Sequence, residues 1–487
     1  MHIEMVSGFL LPAGVWLIVS AGAPLQAQRR LASVTLIALA ASLLTFAAFG
    51  FALAFGGIGA TVPEFAGTLN APVAIRGAQD TWIFAGASGF LLNASAQPSV
   101  LALFVQALPL VLAGAVLMAG VLAQRARPIA QLILIVVTCG VALPLTGGWL
   151  WANGWLHTLG AHDSGQLAVV GLAAGGAGLA WLRATPRRSV APAPQLPEAL
   201  LPARAIAGVL LVLAGMAGAL IAQDADAAMR QFVNTAIAAA VAIITAGAYT
   251  AFTTRNTDAL SASRAMLAAI FMGSAGAASL PTWLMALLGV ACGLLATLGF
   301  YWVNEKRRLN DESAIVTAAL LPAAVGMLVT GAFDGAGALV AQAIAVAAIA
   351  LLAHVSARLM LWLASALRWS VLAAPITIAE KAPAQDVTTS SAVLATPATA
   401  EATPALETPA AVRPQASSTT DQIETDTTAH KPRGLLAWLR GRQATDASPK
   451  QPRKVAYPYR IGGRRMTARP SVNDATPVDS TSTIDAS

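Results

Sequence analysis

The sequence predicts an all-α integral membrane protein with eleven transmembrane helices. Of its 487 residues, 56% are hydrophobic and only 11% are charged, and nearly all the charges lie outside long apolar runs. A helix needs about 20 apolar residues to cross a bilayer core, because its backbone polar groups must all be paired internally in lipid. The distribution of Lys and Arg between alternate loops supports the same count of helices.

The apolar runs, taken in order, give the eleven predicted helices. Between the eighth and ninth runs, residues 265 to 304 carry no charge, and the only turn signal is "SLPT" at 279 to 282. Proline ends helices and biases the preceding residue away from helix, so we expect a tight hairpin there. The predicted spans are 7–27, 31–56, 100–123, 128–150, 165–183, 205–223, 231–252, 265–279, 282–303, 313–332 and 337–365.

The positive charges of the loops predict the orientation of the chain. Lys and Arg in short loops prefer the cytoplasmic side of a membrane. One set of alternate loops carries thirteen of them and the other set carries only Arg76 and Arg230, which places the N-terminus outside the cell and the C-terminus in the cytoplasm. The thirteen are Arg29, Arg30, Arg125, Arg127, Arg183, Arg187, Arg188, Arg204, Arg255, Arg264, Lys306, Arg307 and Arg308.

The opening residues, the cysteines and the acidic residues argue against a cleaved signal peptide, a disulfide framework, a metal site and an enzyme. The opening "MHIEMVSG" has no positive charge before the apolar run, so we expect a membrane helix and not a cleaved signal peptide. Cys139 and Cys292 both fall in predicted spans without companion spacing, which indicates neither a disulfide framework nor a metal site. Acidic residues lie only at helix ends or in loops, and no catalytic constellation is present. We therefore expect no enzyme and no cofactor.

The residues after the last helix have a different composition. We divide the chain into a membrane domain (1–368), a disordered linker (369–430) rich in Ala, Pro and Thr, and a basic, mostly disordered cytoplasmic tail (431–487). Residues 431 to 469 hold eleven basic side chains and one acid, Asp446. Such a segment suits the anionic cytoplasmic leaflet, although a solvated tail without a role and a tail that binds a partner remain alternatives. The net charge of +7 reflects the tail and the loops, so no nucleic-acid partner is expected.

Six short strings, in order, resemble landmarks of the ammonium transporter (Amt/Rh) family. They occur on a topology that was derived independently, and the resemblance covers about residues 8 to 365. The strings are "GFALAFG" (50–56), "FLLNAS" (90–95), "AGVLAQRAR" (119–127), "LGAHDSG" (159–165), "FVNT" (232–235) and "LVTGAF" (328–333).

This resemblance implies an architecture. Members of the family have two inverted five-helix halves around a central pore, a long eleventh helix across the outside, and three subunits with one pore each. The predicted helices 1 to 5 and 6 to 10 begin on opposite sides, as an inverted repeat requires. Small residues such as Gly171 and Gly175 suit close approach of helices around a pore. A homotrimer is therefore the expected assembly.

The resemblance also implies a cation site at the outer vestibule. Trp151 precedes Asp163 by twelve residues, as the vestibule tryptophan does in the family. An indole face attracts a cation by about 0.5 to 2 kcal/mol, and a carboxylate helps organise such a site. The alternatives are an ordinary helix cap at Asp163 and an interfacial anchor at Trp151. Asp311 is the inner carboxylate, which opens the tenth helix as Asp163 opens the fifth.

The expected pore departs from the family in its lining. The family places a histidine eight residues beyond each carboxylate, where this chain has Gly171 and Ala319. Its two stacked phenylalanines correspond to Leu110 and Met216, and its vestibule serine to Leu220. The five lining positions therefore form an apolar, histidine-free path.

The five histidines of the chain do not replace the missing pair. His157 and His162 fall in an outer loop and are expected at the surface, and His354 in the eleventh helix is expected to be a packed or interface residue. His2 and His430 are near the ends of the chain. The cytoplasmic regulatory string of the family after its last helix has no counterpart.

Two classes of function follow from these observations. The first is a transporter or channel for ammonium or ammonia in the cell membrane, or a pore for another small neutral molecule. The second is a non-conducting sensor or scaffold that signals through its cytoplasmic tail. Retention of Trp151, Asp163 and Asp311 favours the first, and loss of the pore histidines favours the second.

Overall fold

The computed structural model describes most of the predicted membrane domain. The predicted linker and basic tail lie outside the described residues, apart from positions 369 and 371. The described ranges are 6–23, 25–77, 80–94, 96–123, 125–184, 200–220, 225–369 and 371.

Eleven apolar helices run through these residues, as the sequence predicts. Nine are long and apolar enough to cross a membrane, and two shorter apolar helices complete the set. They are α1 (Leu10–Ala21), α2 (Leu25–Phe55), α3 (Pro98–Leu122), α4 (Pro128–Trp151), α5 (Leu167–Ala184), α6 (Leu200–Ala219), α7 (Ala225–Thr254), α8 (Ala259–Gly273), α9 (Thr282–Lys306), α10 (Val316–Asp334) and α11 (Ala336–Ala366).

Four of the helices contain π-helical segments. A π turn adds one residue to the helical repeat and shifts the side chains that follow, and such segments are frequent at functional sites. One of them opens α10, at the position expected to carry a pore histidine. Within the described residues the π segments are Phe46–Gly50 in α2, Val136–Ala142 in α4, Leu295–Gly299 and Trp302–Lys306 in α9, and Val316–Leu320 in α10.

The connection between α8 and α9 differs from the predicted tight hairpin. Helix α8 spans Ala259–Gly273 instead of 265–279, and α9 begins at Thr282, so the turn is longer than "SLPT". The earlier start follows from Asp258, whose carboxylate accepts hydrogen bonds from the backbone N–H groups of Leu260 and Ser261. Arg264, counted among the loop charges, therefore lies inside α8 and is buried.

The loop after α2 forms a hairpin that the sequence does not predict. This loop lies at the end of the domain that the loop charges predict to face outside the cell, and we name that end the outer end and the opposite one the inner end. Strands β1 (Pro72–Arg76) and β2 (Thr81–Gly86) pair in antiparallel fashion, with an irregularity between Val73 and Ala74. The indole N–H of Trp149 in α4 donates to the carbonyl of Phe84 at 2.7 Å. This bond fixes the hairpin over the outer end of α4.

Small residues allow the two halves of the domain to meet closely. Helix α1 crosses α6 at Gly14, where an added Cβ would come within 2.6 Å of the backbone nitrogen of Val212. Helix α5 is covered by α11 at Gly176, where an added Cβ would come within 2.6 Å of the carbonyl oxygen of Ala350. The close crossings make a compact core in which α5 and α10 face each other.

Candidate functional site

Asp163 lies at the outer end of the core, just before α5 begins. Its Oδ2 atom accepts a hydrogen bond of 2.9 Å from the backbone N–H of Val169. The first N–H groups of a helix have no partner within it, so a carboxylate at this position caps the helix and meets the positive end of its dipole. The helix-cap alternative is thus part of the role of Asp163, and the second oxygen, Oδ1, accepts no hydrogen bond among the described residues.

The structure brings Trp151 and Asp163 together. Trp151 ends α4, and its indole N–H is buried without a hydrogen bond of good geometry, beside the Asp163 carboxyl. Burial raises the pKa of Asp163 to about 7, although the N–H groups of Val169, Ala168, Trp151 and Gln166 act against this rise. The outer end of the core thus holds an aromatic ring beside a carboxyl group whose pKa is about 7.

Asp311 occupies the corresponding place at the opposite, inner end. It is fully buried, and its carboxylate accepts hydrogen bonds from the backbone N–H groups of Ile315 and Val316 at 3.1 and 2.9 Å and from the Ser313 hydroxyl at 2.9 Å. Burial raises the pKa of Asp311, whereas these bonds and the charge of Arg264 lower it. Each half of the domain therefore begins its last helix under a buried carboxylate.

The two positions expected to carry histidines lie against each other at the centre of the core. A Cβ added at Gly171 would come within 2.9 Å of the Ala319 carbonyl oxygen, of the Ala323 Cβ and of Cδ1 in the Phe271 ring. Carbon atoms in contact are normally about 3.5 to 4.0 Å apart. The backbone of α5 thus packs directly on α10, and Phe271 from α8 covers the same spot. Phe271 could not be predicted from the sequence, because an apolar aromatic residue in an apolar helix carries no signal of its own.

The other expected lining positions, Leu110, Met216 and Leu220, are buried. Three cavities lined by described residues lie elsewhere. Two are on α11, at Val355 to Ser365 and between Met360 and α4, and a small one lies at the inner ends of α1 and α3 beside Ser313. All five positions expected to line the path are thus buried and apolar.

Three of the histidines lie in the described part of the chain, and His2 and His430 lie outside it. His157 is exposed at the surface. His162 pairs with Asp334 at 3.3 Å, and its carbonyl accepts a hydrogen bond from Gln342, so it ties the loop before α5 to α10 and α11. In α11 the Nδ1 atom of His354 is 3.1 Å from the Gly176 carbonyl, at the crossing with α5.

A polar cluster on α7 supports the long turn between α8 and α9. The Gln231 amide donates to the Gly273 carbonyl at 2.6 Å, and the Asn234 amide donates to the carbonyls of Ala277 and Leu280 at 2.7 and 2.9 Å. The Ala277 and Leu280 carbonyls lie in the turn after α8 has ended, whereas the Gly273 carbonyl also accepts a hydrogen bond of 3.0 Å from the backbone N–H of Ala277. The string "FVNT" marks this position in the sequence, but its role as a support for the turn emerges only from the contacts.

A family model described as "Ammonium Transporter Family" matches residues 9–378 of the chain. The ammonium transporter Amt2 of Archaeoglobus fulgidus is 27% identical over 271 residues, which are 52% of this chain and 58% of the relative. The chain thus spans less than two thirds of the length of this curated relative.

Two solved structures show the same fold at low sequence identity. A structure entitled "Sensor Amt Protein" is 19% identical, with a TM-score of 0.64 and coverage of 78% of this chain and 96% of that one. Mep2 of Saccharomyces cerevisiae is 17% identical, with a TM-score of 0.59 and coverage of 78% of this chain and 92% of that one.

Proposed function

Because the chain belongs to the ammonium transporter family, we propose that it moves ammonium across the cell membrane, taking up the cation at its outer end and passing neutral ammonia. The observation that carries the proposal is the pairing of Trp151 with the buried Asp163. An aromatic face and a carboxylate with one uncommitted oxygen are the groups that attract a small alkylammonium-like cation.

The chemistry at the centre of the core favours the neutral form over the cation. Gly171, Ala319 and Phe271 offer no ionisable or hydrogen-bonding side chain that could relay a proton. A desolvated cation is very costly in such surroundings, whereas a small neutral molecule is not. The proton would therefore be left at the outer end, where the Asp163 carboxyl has a pKa of about 7.

Flux into proteoliposomes tests this function. Purified protein is reconstituted, and entry of ammonia is followed by internal alkalinisation while uptake of labelled methylammonium is measured in parallel. We expect ammonia flux above that of empty vesicles and a reduced flux in Trp151→Ala. Equal flux in protein-containing and empty vesicles would contradict transport, and flux of another neutral gas without ammonia would indicate the alternative pore.

A second function, that of a non-conducting ammonium sensor, is favoured by the packing at Gly171. The space that would hold the two histidines is closed by direct contact of α5 with α10 and by the Phe271 ring. One of the structures with the same fold is entitled "Sensor Amt Protein". In this case methylammonium would bind and alter the protein without flux, and residues 369–487 would transmit the signal.

The assembly and the placement in the membrane follow from the family and from the loop charges. We propose a homotrimer, with the N-terminus outside the cell, the C-terminus in the cytoplasm and the basic tail on the anionic leaflet. Sedimentation of the detergent-solubilised protein, corrected for bound detergent, tests the trimer. Binding of the tail peptide to vesicles with and without phosphatidylserine tests the leaflet contact.

A further inference from the structure

Arg264 is a buried cation at the inner end of the core. It lies in α8 and is only 6% exposed. Its guanidinium donates a hydrogen bond to the carbonyl of Glu312, and its Cζ atom is 4.4 Å from the centre of the Phe300 ring. Burial of a charge requires such partners, because an unpaired ion in a low dielectric is strongly disfavoured.

The position of this guanidinium is fixed by three helices. Phe300 lies in α9 and Glu312 lies just before α10, and the end of α1 approaches from the third side. At Gly22, immediately after α1, an added Cβ would clash with the Arg264 Nη2 atom. The guanidinium therefore fills the space between the inner ends of α1, α9 and α10.

The two buried carboxylates differ in their charged neighbours. Asp311 at the inner end feels the positive charge of Arg264, which also acts on Asp258 and Glu312. At the outer end, the groups that act on Asp163 are backbone and indole N–H groups, with no charged side chain among them in the described part of the chain. The inner carboxylate thus has a cation within electrostatic reach, bound to the carbonyl of the next residue, and the outer one does not.

We propose that Arg264 is a specificity-determining residue, a tethered cation that prevents binding of ammonium or alkylammonium ions beside Asp311. Recognition of the cation is then confined to the outer end at Asp163 and Trp151. The inference rests on the proposed function for the identity of the ligand. The two half-domains are related by an inverted repeat, and the Arg264 guanidinium makes their two ends chemically different.

Two effects keep a second cation away from Asp311: repulsion by the Arg264 guanidinium, and the hydrogen bonds that already occupy the carboxylate oxygens. A second cation near Asp311 would meet the guanidinium in a site shielded from water, where charges interact strongly. The Asp311 oxygens already accept hydrogen bonds from Ser313, Ile315 and Val316. With these bonds in place, one basic neighbour is enough to balance the charge of the carboxylate. Removing the guanidinium charge leaves a buried carboxylate that a small cation can neutralise.

Binding of methylammonium to the full-length protein in detergent tests the proposal. The outer site is first weakened with Asp163→Asn, and thermal stabilisation by methylammonium chloride is compared with that by choline chloride at equal ionic strength. We expect Arg264→Gln to lower the methylammonium concentration for half-maximal stabilisation at least tenfold. Arg264→Lys keeps the charge and should show no gain, and adding Asp311→Asn to Arg264→Gln should abolish the gain.

A purely structural role for Arg264 predicts another pattern, since loss of an ordinary buried contact lowers stability without creating a cation-specific response. A folded Arg264→Gln protein with no response beyond that to choline would overturn the proposal. If Arg264→Gln does not fold, Arg264→Met takes its place, because it also removes the charge and keeps a long side chain. A methylammonium-specific gain in Arg264→Met supports the proposal, and no gain contradicts it. The flux of the unmodified protein is a separate readout, so absence of transport leaves this binding result intact.

Discussion

Gly171 lies where α5 crosses α10, and its neighbours leave no room for a side chain. We predict that Gly171→Ala destabilises the protein by about 1 to 3 kcal/mol, the usual cost of overpacking a core. The added methyl group would stand within 2.9 Å of the Ala319 carbonyl oxygen and of the Phe271 ring. Thermal unfolding in detergent measures the loss.

Gly247→Ala is the matched control for this substitution. Gly247 also lies inside a long helix, α7, but an added Cβ there has nothing within 4 Å. Alanine is the better helix former by about 0.5 to 1 kcal/mol, so the control should be neutral or slightly stabilising. Equal melting temperatures for the two variants would show that the contact at Gly171 is looser than described. For the same reason, Gly171→His should disrupt packing and not restore a pore histidine.

Asp163 makes binding of the cation dependent on pH. Burial raises its pKa to about 7, so the carboxyl is mostly neutral at pH 5.5 or below and ionised at pH 8 or above, by about one unit or more on each side. Methylammonium stays protonated in this range, because alkylamines titrate near 10 as lysine does. We therefore predict that its affinity increases with pH through about 7. Titration calorimetry at several pH values checks this, and Asp163→Asn should give a flat profile.

The residues of the site were accessible to sequence reasoning to different degrees. Asp163 and Trp151 are rare polar and aromatic side chains at helix ends, and the structure places them side by side. Phe271 and Arg264 were not singled out, since one is an ordinary apolar residue and the other was counted as a loop charge. Both depend on contacts between helices distant in the sequence, which composition and spacing do not encode.

At the scale of the elements, the turn between α8 and α9 depends on a polar face of α7. We predict that Asn234→Ala destabilises the protein by about 1 to 3 kcal/mol, because the carbonyls of Ala277 and Leu280 lose their donor in a buried place. Thr253→Ala, at an exposed hydroxyl that bonds only within α7, is the control and should change stability by less than about 0.5 kcal/mol. Similar losses in both variants would argue against a supporting role for Asn234.

Some of the secondary structure could be predicted from the sequence, and the turn between α8 and α9 shows where the prediction fails. All eleven helices were predicted, because long apolar runs and alternating charges are strong signals. The start of α8 was placed too late because Asp258 and Arg264 were read as loop residues, whereas one caps the helix and the other is buried inside it. The π segments and the β1–β2 hairpin have no comparable signal, since they depend on how neighbouring elements pack.

At the scale of the whole molecule, the two halves share a plan but not a chemistry. In both, a buried carboxylate precedes the last helix, and the two helices meet at Gly171 and Ala319. Inverted halves of a transporter usually present similar groups to a central site from both sides. Here one half has an aromatic ring near its carboxylate and the other half has a guanidinium. The two ends of the molecule therefore differ chemically.

This difference between the two ends can serve uptake only if the outer end faces the exterior of the cell, and cysteine labelling decides this. Both native cysteines are buried, so they should contribute little background. Glu64, in the loop before β1, and Asn256, between α7 and α8, are exposed on opposite ends of the domain. We predict that a membrane-impermeant maleimide labels Glu64→Cys in intact cells and labels Asn256→Cys only after lysis. The reverse pattern would contradict the orientation given by the thirteen basic loop residues. It would also place the Arg264 end of the core on the outside, where the proposed exclusion of cations could not serve uptake.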